Sequence, residues 1–208
     1  MAKGKILLID NYKQRNTTHI EQIEAAIKKA GYDVGKIRHS EAKGKEDILE
    51  GYDGYVSSGS GKTWEKSGRP NKQGKQYLKS DDPVHKNLAA HKKPGYHICA
   101  GMDELANALG YKVQDTGKFN RGTGEDGHHY NHKYALRKED TDNRINNVKT
   151  FNHAGEEYVS SFDIGNKRAV KYHSERTEKG IEELTGFLDS HIGGKEPLKQ
   201  NRNADYKE

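Results

Sequence analysis

Pro94-Gly95-Tyr96-His97-Ile98-Cys99-Ala100-Gly101-Met102-Asp103-Glu104-Leu105 holds the single cysteine of a 208-residue chain. The stretch reads as a strand that stops at Cys99 and a helix that starts at once, because Leu105, Ala106 and Leu109 follow at helical spacing before the stop at Gly110. A thiol placed there lies at a helix N-terminus. Unpaired N–H groups and the helix dipole favour thiolate over thiol, and two backbone N–H groups can face an oxyanion. The alternative reading of the same residue is a buried cysteine acting as a small hydrophobe.

Moving outward, the apolar segments alternate in type. Lys5 to Asp10 is a continuous apolar run of the kind buried on both faces of a parallel sheet. Thr17 or Thr18 caps a helix with Ile20, Ile23, Ala26 and Ile27 on one side and Gly31 at its end. Asp33 to Arg38 is a second short strand, and Tyr52 to Val56 leads into Ser57-Ser58-Gly59-Ser60-Gly61, a loop able to aim N–H groups at an anion. Pro83 to His91 predicts a short helix ahead of the Cys99 strand. This order predicts an α/β fold with a mainly parallel sheet, whose sites form at the carboxyl ends of strands. Asp10, Gly59 and Cys99 all fall at such ends.

Elsewhere the pattern is weaker. Lys62 to Asp82 is almost wholly polar and reads as an exposed excursion. Between Tyr111 and Thr150, Gly117, Gly122, Gly124 and Gly127 punctuate what reads as a loop. It contains His128, His129 and His132, whose spacing raises a metal hypothesis without a convincing carboxylate or cysteine partner. Val148 to His153 and Tyr158 to Phe162 read as short strands. If Arg168 to Glu175 is extended, alternation puts His173 and Glu175 on one face, where the carboxylate can orient the imidazole. Thr177 to Leu188 is an amphipathic helix, and residues 193–208 form a polar tail after a domain spanning 1–192.

Composition limits the alternatives. Leu, Ile, Val and Phe supply 34 of 208 residues, about 16%, so the core is small and the surface hydrophilic. Lys and Arg exceed Asp and Glu by 36 to 31 without a run of five like charges, which gives no indication of nucleic-acid binding. A lone cysteine excludes an internal disulfide. The apolar run after Met1-Ala2-Lys3-Gly4-Lys5 is too short for a signal or membrane segment, so a cytoplasmic setting is expected.

Together these pieces resemble the class I glutamine amidotransferases, in which a Gly-x-Cys-x-Gly-x-Gln elbow and a later His-x-Glu supply a catalytic triad. Here the elbow reads His97-Ile98-Cys99-Ala100-Gly101-Met102-Asp103 and the later pair is His173-Ser174-Glu175. The likeness runs over roughly residues 5–190 and is greatest to the glutaminase subunit of archaeal GMP synthetases. Ile9-Asp10-Asn11 is similar to the opening of that glutaminase, and Ser57-Ser58-Gly59-Ser60 stands at its Ser-Gly-Gly-Pro.

The resemblance implies a three-layer, flavodoxin-like α/β fold and a Cys99, His173, Glu175 triad. It also implies an oxyanion hole from the N–H groups of Gly59 and Ala100, and a glutamine pocket involving Ser58, Asp103, Tyr134, Asn152 and His153. It implies no metal or cofactor, glutamine as substrate, and, as partner, a separate ATP-pyrophosphatase synthetase subunit. Five positions depart from the family: His97 replaces a glycine, Asp103 and Lys171 each replace a glutamine, Ser174 replaces a proline, and Gly155 stands near the place of an aspartate. His97 is expected to crowd the elbow, and Asp103 to set a carboxylate against a substrate that carries its own. A non-catalytic module on the same fold, or a γ-glutamyl hydrolase-like amidase, are the other readings of these residues.

Overall fold

The computed structural model describes residues 2–12, 17–45, 47–60, 77–78 and 82–193. Most of the expected 62–82 excursion, and the tail beyond Gly193, lie outside them.

The first half of the chain alternates as its periodicity predicts. Strand β1 (Lys5–Asp10) is followed by α1 (Thr17–Lys29), β2 (Asp33–Arg38), the short α2 (His39–Ala42), β3 (Gly54–Ser57) and β4 (Tyr77–Leu78). Then come α3 (Pro83–Ala90), β5 (Gly95–Ile98) and α4 (Ala100–Ala108). Asp82 opens α3 by accepting the Val84 N–H, with Pro83 at the first helical position where a missing N–H costs nothing.

The 111–150 region is the main correction to the sequence reading. It forms a long hairpin, β6 (Val113–Thr123) and β7 (His129–Leu136), followed by β8 (Asn146–His153). Only the start of β6 is buried; from Gly117 onward the strand is exposed or half-buried. The exposed part of β6 has no apolar alternation to betray it, and the alternation along β7 buries Tyr130, His132 and Tyr134 instead of aliphatic residues. Strands β9 (Glu156–Ile164) and β10 (Lys167–Val170) complete the sheet, and α5 (Glu178–Leu188) covers it.

Seven strands lie in the order β2-β1-β3-β5-β10-β9-β8, and β4-β6-β7 form a separate sheet. The first five strands of the large sheet are parallel, and β9 and β8 extend it antiparallel. Register aligns the carboxyl ends: Ile9 pairs with Ser57, Ser57 with His97 and Ile98 with Val170. Three layers result. Ile6 and Leu8 face α1 and α5 through Ile20, Ile23, Ile27, Leu184 and Leu188, while Leu7 and Ile9 face Tyr55, Val84 and Leu88 on the other side. A third cluster joins α4 to the hairpin through Met102, Leu105, Val113 and Leu136.

Helix α5 meets the turn after β10 at unusually short range. Thr177 caps it by accepting the Gly180 N–H at 3.1 Å, and a Cβ on Gly180 would lie 2.5 Å from the Ser174 carbonyl oxygen. Gly186, in the same helix, has nothing among the described residues within 4 Å of that position. Gly180→Ala should therefore destabilise the protein by about 1–3 kcal/mol through overpacking. Gly186→Ala should stabilise it by up to about 1 kcal/mol through helix propensity. Urea denaturation midpoints moving in opposite directions are the expected outcome; equal shifts would contradict the close approach.

Candidate active site

The Cys99 N–H makes the last bond of the strand, to the Val170 carbonyl at 2.7 Å, and helix α4 begins at the next residue. Between the two, Cys99 adopts φ 51° and ψ −104°. A left-handed φ at a non-glycine residue costs about 1–3 kcal/mol and persists only where the surroundings enforce it. Gly101 is part of that enforcement, since a Cβ there would meet the Ser57 carbonyl at 2.8 Å. The turn leaves the Cys99 sulfur at the head of the helix, 4% exposed, donating to the Asn131 carbonyl at 3.9 Å. The N–H of Ala100 lies in the first helical turn, which has no intrahelical acceptors.

His173 and Glu175 meet as expected, by a different geometry. Strand β10 ends at Val170, the His173 N–H bonds the His129 carbonyl at 2.8 Å, and Ser174–Arg176 is a 3-10 turn rather than extended chain. The turn folds the Glu175 carboxylate back onto its neighbour. His173 Nδ1 donates to Glu175 Oε1 at 2.9 Å, which leaves Nε2 for the Cys99 sulfur. Burial opposes charge on His173, but the Cys99 sulfur and the Glu175 carboxylate outweigh it and raise its pKa to about 10. Burial likewise opposes charge on Glu175, and its hydrogen bonds from His173 and His19 hold it down at about 2. The two groups are thus poised as a buried ion pair.

His19 is the site residue that sequence reasoning missed. Its Nδ1 lies 2.7 Å from the same Glu175 oxygen, and its Nε2 lies 3.0 Å from Arg176 Nη2. A guanidinium only donates, so Nε2 accepts and the Nδ1–H must point at Glu175. Arg176, His19, Glu175 and His173 therefore form one directed chain. The signal was present: His19 lies one helical turn before Ile23 and shares its buried stripe.

Gly59 borders the reacting space. A Cβ there would lie 3.1 Å from His173 Cε1, 3.3 Å from the Tyr12 hydroxyl and 3.5 Å from Cys99 Cβ. The missing side chain leaves a small space bordered by all three. Tyr12 stacks on His19 with ring centroids 5.6 Å apart, and burial, Glu175 and Cys99 push its phenol well above the usual tyrosine pKa, so it stays a donor. Ser58 is fully buried: its hydroxyl donates to the Gly59 carbonyl at 2.9 Å and accepts the Asn11 N–H at 3.0 Å. Asn11 Nδ2 also donates to the Ser58 carbonyl and to Ser57 Oγ, which fixes the loop.

The departures from the family pattern have physical answers. His97 does not crowd the elbow, because its ring lies on the opposite face of β5 against Tyr55, edge to face at 5.3 Å. The Tyr55 hydroxyl donates to the Leu88 carbonyl, so His97 Nε2–H donates to the Tyr55 oxygen at 3.0 Å. Asp103 and Lys171 are both buried and form a salt bridge. Burial outweighs the Lys171 ammonium and lifts the Asp103 pKa to about 6. Asp103 thus offers the site a compensated charge instead of a free carboxylate.

The remaining expected residues are more dispersed. Tyr134 is buried in the cluster under α4. Asn152 lines a cleft of about 720 Å³ between β8 and the β6–β7 hairpin, and His153 Nε2 donates to the Lys118 carbonyl at 3.1 Å. Neither of these contacts involves Cys99. The three hairpin histidines do not converge: His128 stacks on Tyr172, His129 faces His173, and His132 lies between Tyr130 and Phe151. Among the described residues, the two groups able to hold a metal are His19, His173, Glu175 and His39, Asp82, His85. No helix among them is long and apolar enough to cross a membrane.

The mainly parallel sheet, with a strained cysteine between strand and helix, is similar to the fold of solved glutamine amidotransferases. A Thermoplasma acidophilum protein, assigned provisionally to GMP synthase as one of its subunits, matches with TM-score 0.59 and 19% identity, over 89% of this chain and 94% of that one. A Thermotoga maritima glutamine amidotransferase matches with TM-score 0.54 and 16% identity, over 91% and 85%. A glutamine amidotransferase from Methylobacillus flagellatus matches with TM-score 0.50 and 11% identity, over 89% and 76%. No family model and no curated sequence matches the chain.

Asp103 and Lys171 should behave as one unit. Asp103→Gln alone leaves a buried ammonium without its counter-charge and should cost about 3–5 kcal/mol, whereas Asp103→Gln with Lys171→Gln should recover most of that loss. Denaturant unfolding of the two single variants and the double variant checks this; additive losses would contradict the pairing.

Proposed function

We propose that this chain is a cysteine-dependent glutamine amidohydrolase that supplies ammonia to a separate synthetase subunit, with GMP synthetase as the partner type. The observation that carries the reading is the convergence of Cys99 and His173 over Gly59, with Glu175 on the far nitrogen of His173, at the head of a helix and the carboxyl end of the sheet. The fold neighbours described as glutamine amidotransferases, and as part of GMP synthase, support the substrate and the partner type.

In this reading the Cys99 sulfur attacks the side-chain amide carbon of glutamine while the proton sits on His173 Nε2. The carbonyl electrons move onto oxygen, where the N–H groups of Gly59 and Ala100 receive the negative charge. Collapse of that intermediate expels the amide nitrogen, which takes the His173 proton and leaves as ammonia. Water then gives a proton back to His173 and attacks the thioester, and glutamate departs as Cys99 is regenerated. Glu175 holds the imidazole in the required tautomer throughout, and His19 and Arg176 hold Glu175.

The Asp103–Lys171 pair fits this substrate. Two neutral glutamines of the family are replaced by one anion and one cation, so the pocket gains no net charge against the substrate carboxylate. Asn152 and His153 remain candidates for contacting substrate from β8, and Ser58 acts by shaping the loop that carries Gly59.

Isotope-labelled glutamine, incubated with the full chain alone and with the ATP-pyrophosphatase component of a GMP synthetase, tests the reading. Labelled glutamate should form in at least one arm, vanish in Cys99→Ala, and fall by about 10²–10⁴ in His173→Ala. Absence of glutamate in both arms would sink it.

A further inference from the structure

A second group of titratable side chains lies on the other face of the sheet, outside the chemistry above. His39 at the start of α2, Asp82 at the cap of α3 and His85 within α3 bring one donor atom each to a common point, all within 4.8 Å of one another. Asp82 Oδ2 is the meeting place: His85 Nδ1 lies 2.7 Å from it, and His39 Nε2 contacts the same oxygen. The two imidazole rings stack at 5.4 Å with 20° between their planes.

Two of the three donors are aimed from outside the group. Asp82 Oδ1 accepts the Val84 N–H at 3.1 Å, so the carboxylate is oriented by its capping role and Oδ2 is turned inward. The second nitrogen of His85 lies 3.4 Å from Ser57 Oγ, and that hydroxyl is itself held by Asn11 Nδ2 at 2.9 Å. Metal-ligating histidines show this arrangement, one nitrogen on the ion and the other on an outer hydrogen-bond partner. Exposure is graded: the side chains of His85, Asp82 and His39 are 1%, 12% and 30% accessible. The group thus has a buried floor and one open side, where a water could complete the coordination.

The geometry points to a divalent transition-metal site formed by His39 Nε2, His85 Nδ1 and Asp82 Oδ2. Two imidazole nitrogens with one carboxylate oxygen suit zinc-class ions, whereas calcium and magnesium call for oxygen ligands. Tetrahedral zinc, with bonds of about 2.0–2.2 Å, spaces its ligand atoms by about 3.3 Å, so binding needs only a small opening of the group. Such an ion ties α2 and α3 to Ser57, the last residue of the strand that runs into Ser58 and Gly59. This site stands independently of the amidohydrolase reading.

Chelator-stripped full-length protein titrated with zinc against a chromophoric chelator, and with cobalt(II) for its absorption, tests the proposal. One zinc per chain is expected, with a cobalt spectrum lacking a thiolate charge-transfer band and a zinc-dependent rise in melting temperature. His39→Ala, at the most exposed ligand, and Asp82→Asn, which retains a capping side chain, should each weaken zinc binding more than about tenfold while circular dichroism stays native. Ser57→Ala should weaken it about 10–100-fold. Cys99→Ala combined with His173→Ala should keep the full zinc equivalent. Absence of stoichiometric binding, binding unchanged in His39→Ala and Asp82→Asn, or binding lost in the Cys99/His173 variant would overturn it.

Discussion

A buried carboxylate must be compensated or it will not stay charged, and in this protein that requirement falls on Glu175. One of its oxygens takes N–H groups from both His173 and His19, and the second nitrogen of His19 takes Arg176. These bonds join α1, the turn after β10 and the ring that faces Cys99. The close approach of α5 at Gly180 presses the same turn from behind. The orientation of His173 is therefore set by the packing of two helices on one face of the sheet.

The residues that differ from the glutamine amidotransferase pattern the sequence resembles are balanced by their neighbours in the fold. Asp103 and Lys171 lie 68 positions apart in the chain and look like two independent losses of glutamine. In the fold they are one unit, a buried ion pair. His97 likewise matters through its face: alternation along β5 sets it opposite Tyr96 and Ile98, against Tyr55, and the left-handed backbone at Cys99 carries the sulfur to the Tyr96 and Ile98 side instead. A position judged by its distance from the nucleophile in sequence is misjudged when the strand's pleat decides where the side chain goes.

Much of the architecture was legible because parallel strands and amphipathic helices write their burial into the sequence. Lys5 to Asp10, the α1 stripe and the abrupt strand-to-helix change at Cys99 are of this kind. The β6–β7 hairpin was not legible, since β6 is exposed and glycine-punctuated from Gly117 onward and β7 buries aromatic and histidine side chains in place of aliphatic ones. The His173–Glu175 contact was anticipated from strand alternation, but a 3-10 turn makes it. His19 was hidden for another reason: it joins the site by tertiary packing across 156 residues, and only its place on the Ile23 stripe hinted that it is buried.

The proposed function requires Cys99 to be an activated nucleophile and not a small buried hydrophobe. Intact-mass measurement of the folded chain exposed at neutral pH to a glutamine-mimicking electrophile addresses it directly. One adduct is expected, located on Cys99, slowed by excess glutamine and lost in His173→Ala. An unmodified Cys99 that reacts only after denaturation would contradict it.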